Sequence, residues 1–262
     1  MKTIAVATDF SPAAENATMY AAKLAQSLGA SVLIIHAYQV PVSMNDAPVL
    51  MVQAEDLSAN AEQNLQRAKA ALQDQFPQLE IRTESRLGDV VDEVTILCKE
   101  LQPLFLVIGR HFKSGVEGFI FGSSSLSLIR HCKTPVISVP DAASAAGIKN
   151  IAVAIDDPRG ALPARIAALL KPLGATIHFV HVREEGEEEL DATTITGDLK
   201  VPYTSLPAES FVEAIQRFVQ QYQIDLLCVL PHRHSVIERW LFKTHTSKLI
   251  HKLSLPILCI PA

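Results

Sequence analysis

The sequence contains an ordered internal repeat, which limits the folds open to a chain of 262 residues. Four blocks recur in the same order: KTIAVATD at 2–9 as KNIAVAID at 149–156, GASVLIIHA at 29–37 as GATIHFVHV at 174–182, LFLVIGRH at 104–111 as DLLCVLPH at 225–232, and TPVISVP at 134–140 as LPILCIP at 255–261. The offsets are 147, 145, 121 and 121 residues. Matches that keep their order along the chain indicate duplication of one structural unit.

The offset falls between the second and third blocks, where 145 minus 121 leaves the second half 24 residues shorter. In this interval the first half carries AEDLSANAEQNLQRAKAALQDQF, an alanine-rich stretch with helical periodicity that ends before Pro77. The second half carries the acidic REEGEEELDATTITGD instead. We therefore expect a first domain at 1–141, a linker at 141–148 and a second domain at 149–262 that lacks one helix.

Short β-branched runs alternate with amphipathic segments of helix length in each half, a pattern typical of βαβ units on a parallel sheet. The first half is predicted to form strands near 2–8, 31–37, 79–86, 104–109 and 135–139 and helices near 12–28, 55–76, 89–101 and 123–132. The second half is predicted to form strands near 149–155, 175–182, 199–205, 225–230 and 256–260. The predicted fold class is α/β.

Composition excludes several classes of protein. No apolar run approaches the roughly 20 residues that span a bilayer, and MKTIAVATDF lacks the apolar core of a secretion signal, so we expect a cytoplasmic protein without membrane contact. Lysine and arginine number 23 against 28 acidic residues, which disfavours nucleic-acid binding. The four cysteines lie apart in the sequence and are interpreted as reduced packing thiols, without a metal site.

Candidate ligand-binding residues follow the predicted strands of the first half, at the sheet edge where open α/β folds bind ligands. A glycine followed by serines also precedes a helical run, where backbone N–H groups and the helix dipole suit phosphate. The predicted nucleotide-binding residues are Thr8, Asp9, Ala37, Gly109, His111, Gly122, Ser123 and Ser124. Asp9 and Ser123 are equally typical of residues that cap a helix, and this alternative stays open.

Several segments occur in a fixed order along the sequence: TDFSPAAENA, ASVLIIHAY, Gly88-Asp89, a glycine separated from GSS by twelve residues, and TPVISVP. In this order they resemble the universal stress protein family in its tandem two-domain form. The resemblance implies two Rossmann-like (adenine nucleotide alpha hydrolase-like) domains. Each would be a five-stranded parallel sheet of order 3-2-1-4-5, and the two would pair through their fifth strands. It also implies a stress-response protein that binds ATP or AMP, or that has lost this site, with no defined set of catalytic residues.

The nucleotide-binding members of the family carry the motif G-x2-G-x9-G-[ST]. This sequence keeps the spacing at Gly109, Gly122 and Ser123, but Phe112 replaces the second glycine. The resemblance assigns the ribose and adenine to Asp9, the adenine edge to the backbone of Ala37, and the phosphates to Ser123 and Ser124. ATP or AMP is therefore the ligand expected in the first domain, with no metal cofactor.

The second half departs from that motif, since its corresponding positions are Leu230, Arg233, Lys243 and Thr244. No ATP site of the usual type is expected there. Its basic segment at 233–252 is interpreted either as a solvated helix face or as a surface for an anion or a protein partner. The acidic residues of 184–191 are interpreted as a solvated insertion.

Two classes of function remain open. No G-x-S-x-G, P-loop or H-E-x-x-H motif is present, so a non-catalytic nucleotide-binding protein is predicted, although slow ATP hydrolysis beside Arg110 or His111 is not excluded. The alternative is an interaction or sensor module that has lost nucleotide binding and takes another small molecule, near Phe112 and Phe119, or a protein partner. The two halves are expected to form an intramolecular pseudo-dimer, and a homodimer stays open.

Overall fold

The computed structural model describes residues 2–40, 49–112, 119–120, 123–141, 143, 147–155, 162–183, 202–207, 211–230 and 253–261. The chain folds into two compact units, Met1–His111 with Phe121–Ala145 and Phe112–Ile120 with Ala146–Ala262. The domain boundaries predicted at 141 and 149 stay predictions, as does the pairing of the two halves through their fifth strands.

Strands and helices alternate in both halves. The first half contains β1 (Thr3–Ala7), α1 (Pro12–Leu28), β2 (Ser31–Tyr38), α2 (Val49–Gln75), β3 (Ile81–Leu87), α3 (Val90–Leu101), β4 (Phe105–Phe112), β5 (Phe119–Ile120), α4 (Ser123–His131) and β6 (Val136–Pro140). The described part of the second half contains β7 (Asn150–Ala154), α5 (Leu162–Leu170), a 3₁₀ turn (Lys171–Leu173), β8 (Thr176–Arg183), β9 (Tyr203–Pro207), α6 (Phe211–Gln221), β10 (Leu226–Val229) and β11 (Ile257–Cys259).

The strands of the first unit lie in the order β3-β2-β1-β4-β6. All four pairings are parallel, with Val6 of β1 in register with Ile34 of β2 and Val107 of β4. Continuous apolar runs such as IAV and LIIH form these strands because a parallel sheet covered by helices is buried on both faces. The carboxyl ends of β1, β2 and β4 consequently lie side by side at one edge.

The strands of the second unit lie in the order β11-β10-β7-β8-β9, again with parallel pairings. Ala154 of β7 is in register with Val180 of β8 and Val229 of β10, as Ala7 of β1 is with Ile35 and Ile108 in the first unit. The α/β fold with a mostly parallel sheet, predicted from the sequence, is confirmed.

Helix α1 packs on the first sheet through a face of small side chains. Ala13, Ala17, Ala21 and Ala25 recur every four residues, so they share one face of the helix, and each is at most 1% exposed. Ser11 caps the helix, since its Oγ accepts a hydrogen bond from the N–H of Ala14 at 3.3 Å. A face built of methyl groups brings the helix backbone close to the strands.

Two predicted boundaries are wrong by several residues. Helix α2 begins at Val49 rather than near 55, because Leu50, Met51 and Gln53 are good helix formers and no breaker separates them from the later turns. Strand β9 spans Tyr203–Pro207 rather than 199–205, and residues 199–201 lie outside the described ranges. The helix predicted to be missing from the second half falls on 184–201, which also lies outside them.

Among the residues that the structure describes, no helix is both long enough and apolar enough to cross a membrane.

Candidate functional site

A cavity of about 230 Å³ opens in the first unit where β1, β2 and β4 end. We call it the strand-end cavity. Its polar lining consists of Thr8, Asp9, Ser11, Ser123, Ser124 and Ser125. Its remaining lining consists of Ala7, Ala14, Ile35, Ala37, Val90, Val94, Ile108, Gly109 and Leu128. Six of the eight predicted site residues are therefore brought together, namely Thr8, Asp9, Ala37, Gly109, Ser123 and Ser124.

The other two predicted residues are not placed in the strand-end cavity. His111 lies on β4, but the structure describes its backbone and not its side chain. Gly122 is outside the described residues, as are the second-half motif positions Arg233, Lys243 and Thr244. Phe112, which replaces the second motif glycine, is also described by its backbone alone.

Sequence reasoning missed the apolar wall of the strand-end cavity, which includes Ile35, Val90, Val94 and Ile108. Val90 and Val94 lie one turn apart on α3, directly after the Gly88-Asp89 pair. That pair is typical of a helix start, and Asp89 does cap α3 by accepting hydrogen bonds from the N–H groups at 91 and 92. The helical spacing after the cap is the signal that these valines share a face.

A tight turn holds Asp9 at the mouth of the cavity. Its Oδ1 accepts hydrogen bonds from the Ser11 N–H at 3.0 Å and the Ser11 Oγ–H at 2.5 Å. Phe10 between them has a left-handed backbone with φ 60°, and its N–H donates to Thr8 Oγ1 at 3.0 Å. The helix cap is Ser11, so the capping alternative for Asp9 is wrong. The Asp9 side chain instead orders the turn and stays exposed to a ligand.

Gly109 is required by packing, whatever it does for a ligand. A Cβ at this position would lie 2.7 Å from the carbonyl carbon and oxygen of Ala13 and 2.8 Å from the N of Ala14. These atoms belong to the first turn of α1, which lies against the end of β4. Only glycine permits this approach, and the approach brings the Asp9 turn beside β4.

The first turn of α4 forms the hydroxyl-lined end of the cavity. Ser123 is the first residue of the helix, and Ser123, Ser124 and Ser125 all line the cavity. The first backbone N–H groups of a helix have no partner within the helix, and the helix dipole is positive there. This end of the cavity can therefore hold an anion through N–H groups and hydroxyls.

His36 connects β2 to the Asp9 turn. Its Nδ1 is 2.8 Å from the carbonyl oxygen of Thr8, and its ring lies 4.4 Å from the ring of Phe10. Strand alternation puts its side chain on the opposite face from Ala37, which lines the cavity. His36 therefore makes a hydrogen bond that joins the end of β2 to the residue before the Asp9 turn.

Asp9 is the one lining residue with a formal charge among those described. A negatively charged ligand group would consequently be held by backbone N–H groups and serine hydroxyls and not by a lysine or arginine of this lining. No group of three or more potential metal ligands occurs in the described part of the chain. The arrangement combines an apolar wall, an exposed carboxylate and a helix N-terminus in one cavity.

The chain is similar to known proteins in sequence and in fold. Residues 1–140 match the model of the universal stress protein family. No curated protein matches the chain. A universal stress protein from Archaeoglobus fulgidus DSM 4304 has a similar structure, with a TM-score of 0.75 and 16% identity over 99% of this chain and 98% of that chain.

Two further solved structures are also similar to this chain. A functionally unknown protein from Pseudomonas aeruginosa PAO1 is 12% identical over 100% of this chain and 92% of that chain, with a TM-score of 0.56. A universal stress protein from Archaeoglobus fulgidus in complex with dAMP is 20% identical over 53% of this chain and 97% of that chain. Its TM-score against this chain is 0.38. The family match spans more than half of the sequence, and the chain belongs to the universal stress protein family.

Proposed function

We propose that the first unit binds an adenine nucleotide, ATP or AMP, in the strand-end cavity and that the protein is a non-catalytic, cytoplasmic stress-response protein. The observation that carries this proposal is the position of Thr8, Asp9, Ala37, Gly109, Ser123 and Ser124 around one cavity at the carboxyl edge of a parallel sheet. That edge is where open α/β folds bind nucleotides.

The cavity offers a different surface to each part of such a ligand. The side chains of Ile35, Val90 and Val94 form an apolar wall suited to the base. The backbone at Ala37 lies at the end of β2, where it can read the adenine edge. The exposed Asp9 carboxylate can accept hydrogen bonds from the ribose hydroxyls, and its hydrogen bonds to Ser11 fix its position before the ligand arrives.

The phosphates would lie at the first turn of α4. Ser123 and Ser124 are exposed there, so their hydroxyls and the adjacent N–H groups can donate to phosphate oxygens. An acidic side chain close to the phosphates would oppose binding by charge repulsion. Asp9 follows β1 and the serines begin α4, so we assign the carboxylate to the ribose and the serines to the phosphates.

The assignment of the one described carboxylate to the ribose supports a binding role over a catalytic one. Asp9 is the one carboxylate among the described lining residues, and its Oδ1 already accepts two hydrogen bonds. General base catalysis requires a group within hydrogen-bond reach of the attacking water and free to take its proton. Bound nucleotide is therefore expected to persist unchanged.

The proposal is tested by calorimetric titration of AMP, ADP and ATP into the full chain, after mass spectrometry of any ligand that copurifies. Asp9→Ala should weaken binding at least about tenfold, equivalent to about 1.4 kcal/mol. The matched control is Asp225→Ala, because Asp225 Oδ2 accepts backbone hydrogen bonds from Lys149 and Asn150 in the other unit. This control should leave affinity unchanged.

Failure of wild-type protein to bind any of the three nucleotides would refute the proposal. Recovery of a different copurified molecule would instead support the alternative sensor module. Slow conversion of bound ATP to ADP would support the binding site but overturn the non-catalytic assignment.

A further inference from the structure

A second cavity lies in the first unit, at the opposite edge of the sheet from the strand-end cavity. Its volume is about 440 Å³, which is within the range of about 300–1,000 Å³ that small-molecule sites occupy. Pro103 and Pro135 line it just before the amino ends of β4 and β6, and the later turns of α3 line it as well. We call it the amino-edge cavity. The described linings of the two cavities have no residue in common.

Two lysines and a histidine line the amino-edge cavity. Lys99 lies in the last turn of α3, His131 ends α4, and Lys133 follows two residues later. All three residues are exposed. The described lining contains no carboxylate, and neither lysine forms an ion pair with a described residue. The two ammonium groups are therefore available to an anion that enters the cavity.

Stabilisation of the helix dipoles is the alternative explanation for these cations, because cations are favoured at helix C-termini. Each C-terminus carries about half a negative charge, so the ends of α3 and α4 together contribute about one. Lys99 and Lys133 bring two full positive charges to the lining. The cavity consequently keeps a net positive charge after both dipoles are counted.

The second unit shows that the fold itself does not need these lysines. The pairing of β10 with β11 repeats the pairing of β4 with β6 at an offset of 121 residues. The same offset places Gln220 at the position of Lys99 and Ser254 at the position of Lys133. Helix α6, the counterpart of α3, has no basic residue in its last turn. Two positive charges at this edge of the sheet are therefore particular to the first unit.

Neutral donors complete the lining of the amino-edge cavity. Gln102 is exposed and Thr134 is buried, and both belong to the lining. Thr95 lines the cavity too, and its Oγ1 is buried without a hydrogen-bond partner among the described residues. This hydroxyl has no such hydrogen bond to lose, so rotation of the side chain can offer it to a ligand oxygen at a gain in free energy. Cys98, which is free and buried, and the two prolines form the less polar part of the lining.

We propose that the amino-edge cavity binds a small phosphate monoester. A phosphate monoester is mostly a dianion at neutral pH and presents three strong acceptor oxygens. Lysine binds phosphate as a point charge with three donors, whereas a carboxylate is best matched by the planar fork of arginine, which the described lining lacks. The organic part of the ligand would lie against Cys98 and the prolines. This site is additional to the nucleotide site proposed for the strand-end cavity.

The experiment titrates glycerol 3-phosphate into isotopically labelled full-chain protein and follows the backbone amide signals by NMR. This probe has no base to occupy the strand-end cavity. We expect saturable shifts that are largest at Gln102, Lys133 and Thr134. Larger shifts at Thr8 and Ser124, which line the strand-end cavity, would overturn the proposal. The absence of saturation at millimolar probe would overturn it as well.

Lysine variants test the role of charge by calorimetry with the same probe. Lys99→Gln and Lys133→Gln should each weaken binding about threefold, and the double variant about tenfold. Lys23→Gln is the matched control, because Lys23 is exposed on α1 and belongs to neither described lining, and it should leave affinity unchanged. Wild-type affinity in the double variant would overturn the proposal. The wild-type NMR map decides it even where a variant does not fold.

Succinate tests the choice of phosphate over carboxylate. It is also a dianion at neutral pH, so a cavity that selects by charge alone would bind it as well as glycerol 3-phosphate. We expect succinate to bind about tenfold more weakly, because its two charges are spread over separate carboxylates. Equal affinity for the two probes would overturn the assignment to a phosphate monoester.

Discussion

Gly109 in β4 of the first unit and Leu230 directly after β10 of the second unit occupy equivalent positions but differ in size. Ile108 is in register with Ala7, and Val229 is in register with Ala154, so Gly109 and Leu230 occupy corresponding places. A Cβ at Gly109 would lie 2.7 Å from the backbone of α1, whereas the Leu230 side chain is present and 6% exposed. The same strand arrangement therefore supports a close helix in one unit and a buried side chain in the other.

The glycine of the motif therefore has two separate roles, one in packing against α1 and one in lining the cavity, which sequence comparison alone does not separate. In the first unit it lets the start of α1 touch β4, and this contact positions the Asp9 turn at the strand-end cavity. A unit that replaces this glycine by leucine keeps its strands but fills that space. Retention of the fold and retention of the cavity are therefore separable, and the following predictions test this separation.

The largest effect is expected from Gly109→Leu, which gives the first unit the residue of the second. The side chain would displace the first turn of α1, so we expect destabilisation by about 4 kcal/mol or more and loss of nucleotide binding. Gly109→Ala adds the Cβ alone and should weaken both properties less. Urea denaturation and calorimetry measure the two effects.

Gly147→Ala is the control for Gly109, since a Cβ at 147 has no neighbour within 4 Å. It should change stability by less than about 0.5 kcal/mol. Equal stability of Gly109→Ala and Gly147→Ala would contradict the close contact between β4 and α1.

The reverse change, Leu230→Ala, removes a buried side chain from the second unit. We expect a loss of about 3 kcal/mol from the cavity that it leaves. Nucleotide affinity, measured by calorimetry on the folded variant, should stay at the wild-type value because the proposed site lies in the other unit. A tenfold change in affinity would show that the units do not bind independently.

A smaller effect is expected at the start of α1. Ser11→Ala removes the helix cap and the hydroxyl hydrogen bond to Asp9, and should cost about 1 kcal/mol of stability. Ser27→Ala is the matched change at the other end of the helix, where the hydroxyl donates to the Leu24 carbonyl oxygen at 2.8 Å. Thermal melts should show a smaller shift for Ser27→Ala. The opposite order would contradict the capping role.

The smallest effect concerns a histidine that the first unit lacks. His178 is in register with Ala152, as Leu33 is with Ala5. Burial lowers the pKa of His178, whose ring lies 5.4 Å from that of Tyr222. The unfolded chain therefore binds a proton more readily, and stability falls as pH drops below about 6.5. His178→Leu should reduce this fall in urea titrations at different pH, and an unchanged slope would contradict it.

The sequence was sufficient for strands such as β1 and β7 because their buried runs are almost wholly β-branched or aliphatic. It was insufficient where contacts join distant positions. Helices α3 and α4 contact each other, and no local pattern in the sequence encodes that contact. Val90 and Val94 join the site for the same reason, since a helix face acquires its partner only when the sheet forms.

The sequence predicted which residues belong to the candidate site better than it predicted what each residue contacts. Asp9 and Gly109 were predicted to bind a ligand. The structure shows that Asp9 also orders a turn and that Gly109 also lies against the first turn of α1. Both roles depend on backbone atoms at the start of α1, whose position follows from the packed fold. Sequence spacing identified the residues because strand ends converge in this fold class, but it could not reveal which neighbour each one touches.

The alanine face of α1 makes the strand-end cavity sensitive to substitutions far from it. Ala21 and Ala25 lie in the later turns of α1. The first turn of this helix directly follows the Asp9 turn and contacts Gly109. Side chains larger than a methyl group at these positions would move the helix as a rigid rod and shift that first turn relative to the α4 serines. Remote positions on one helix can thus tune the width of the cavity without contacting a ligand.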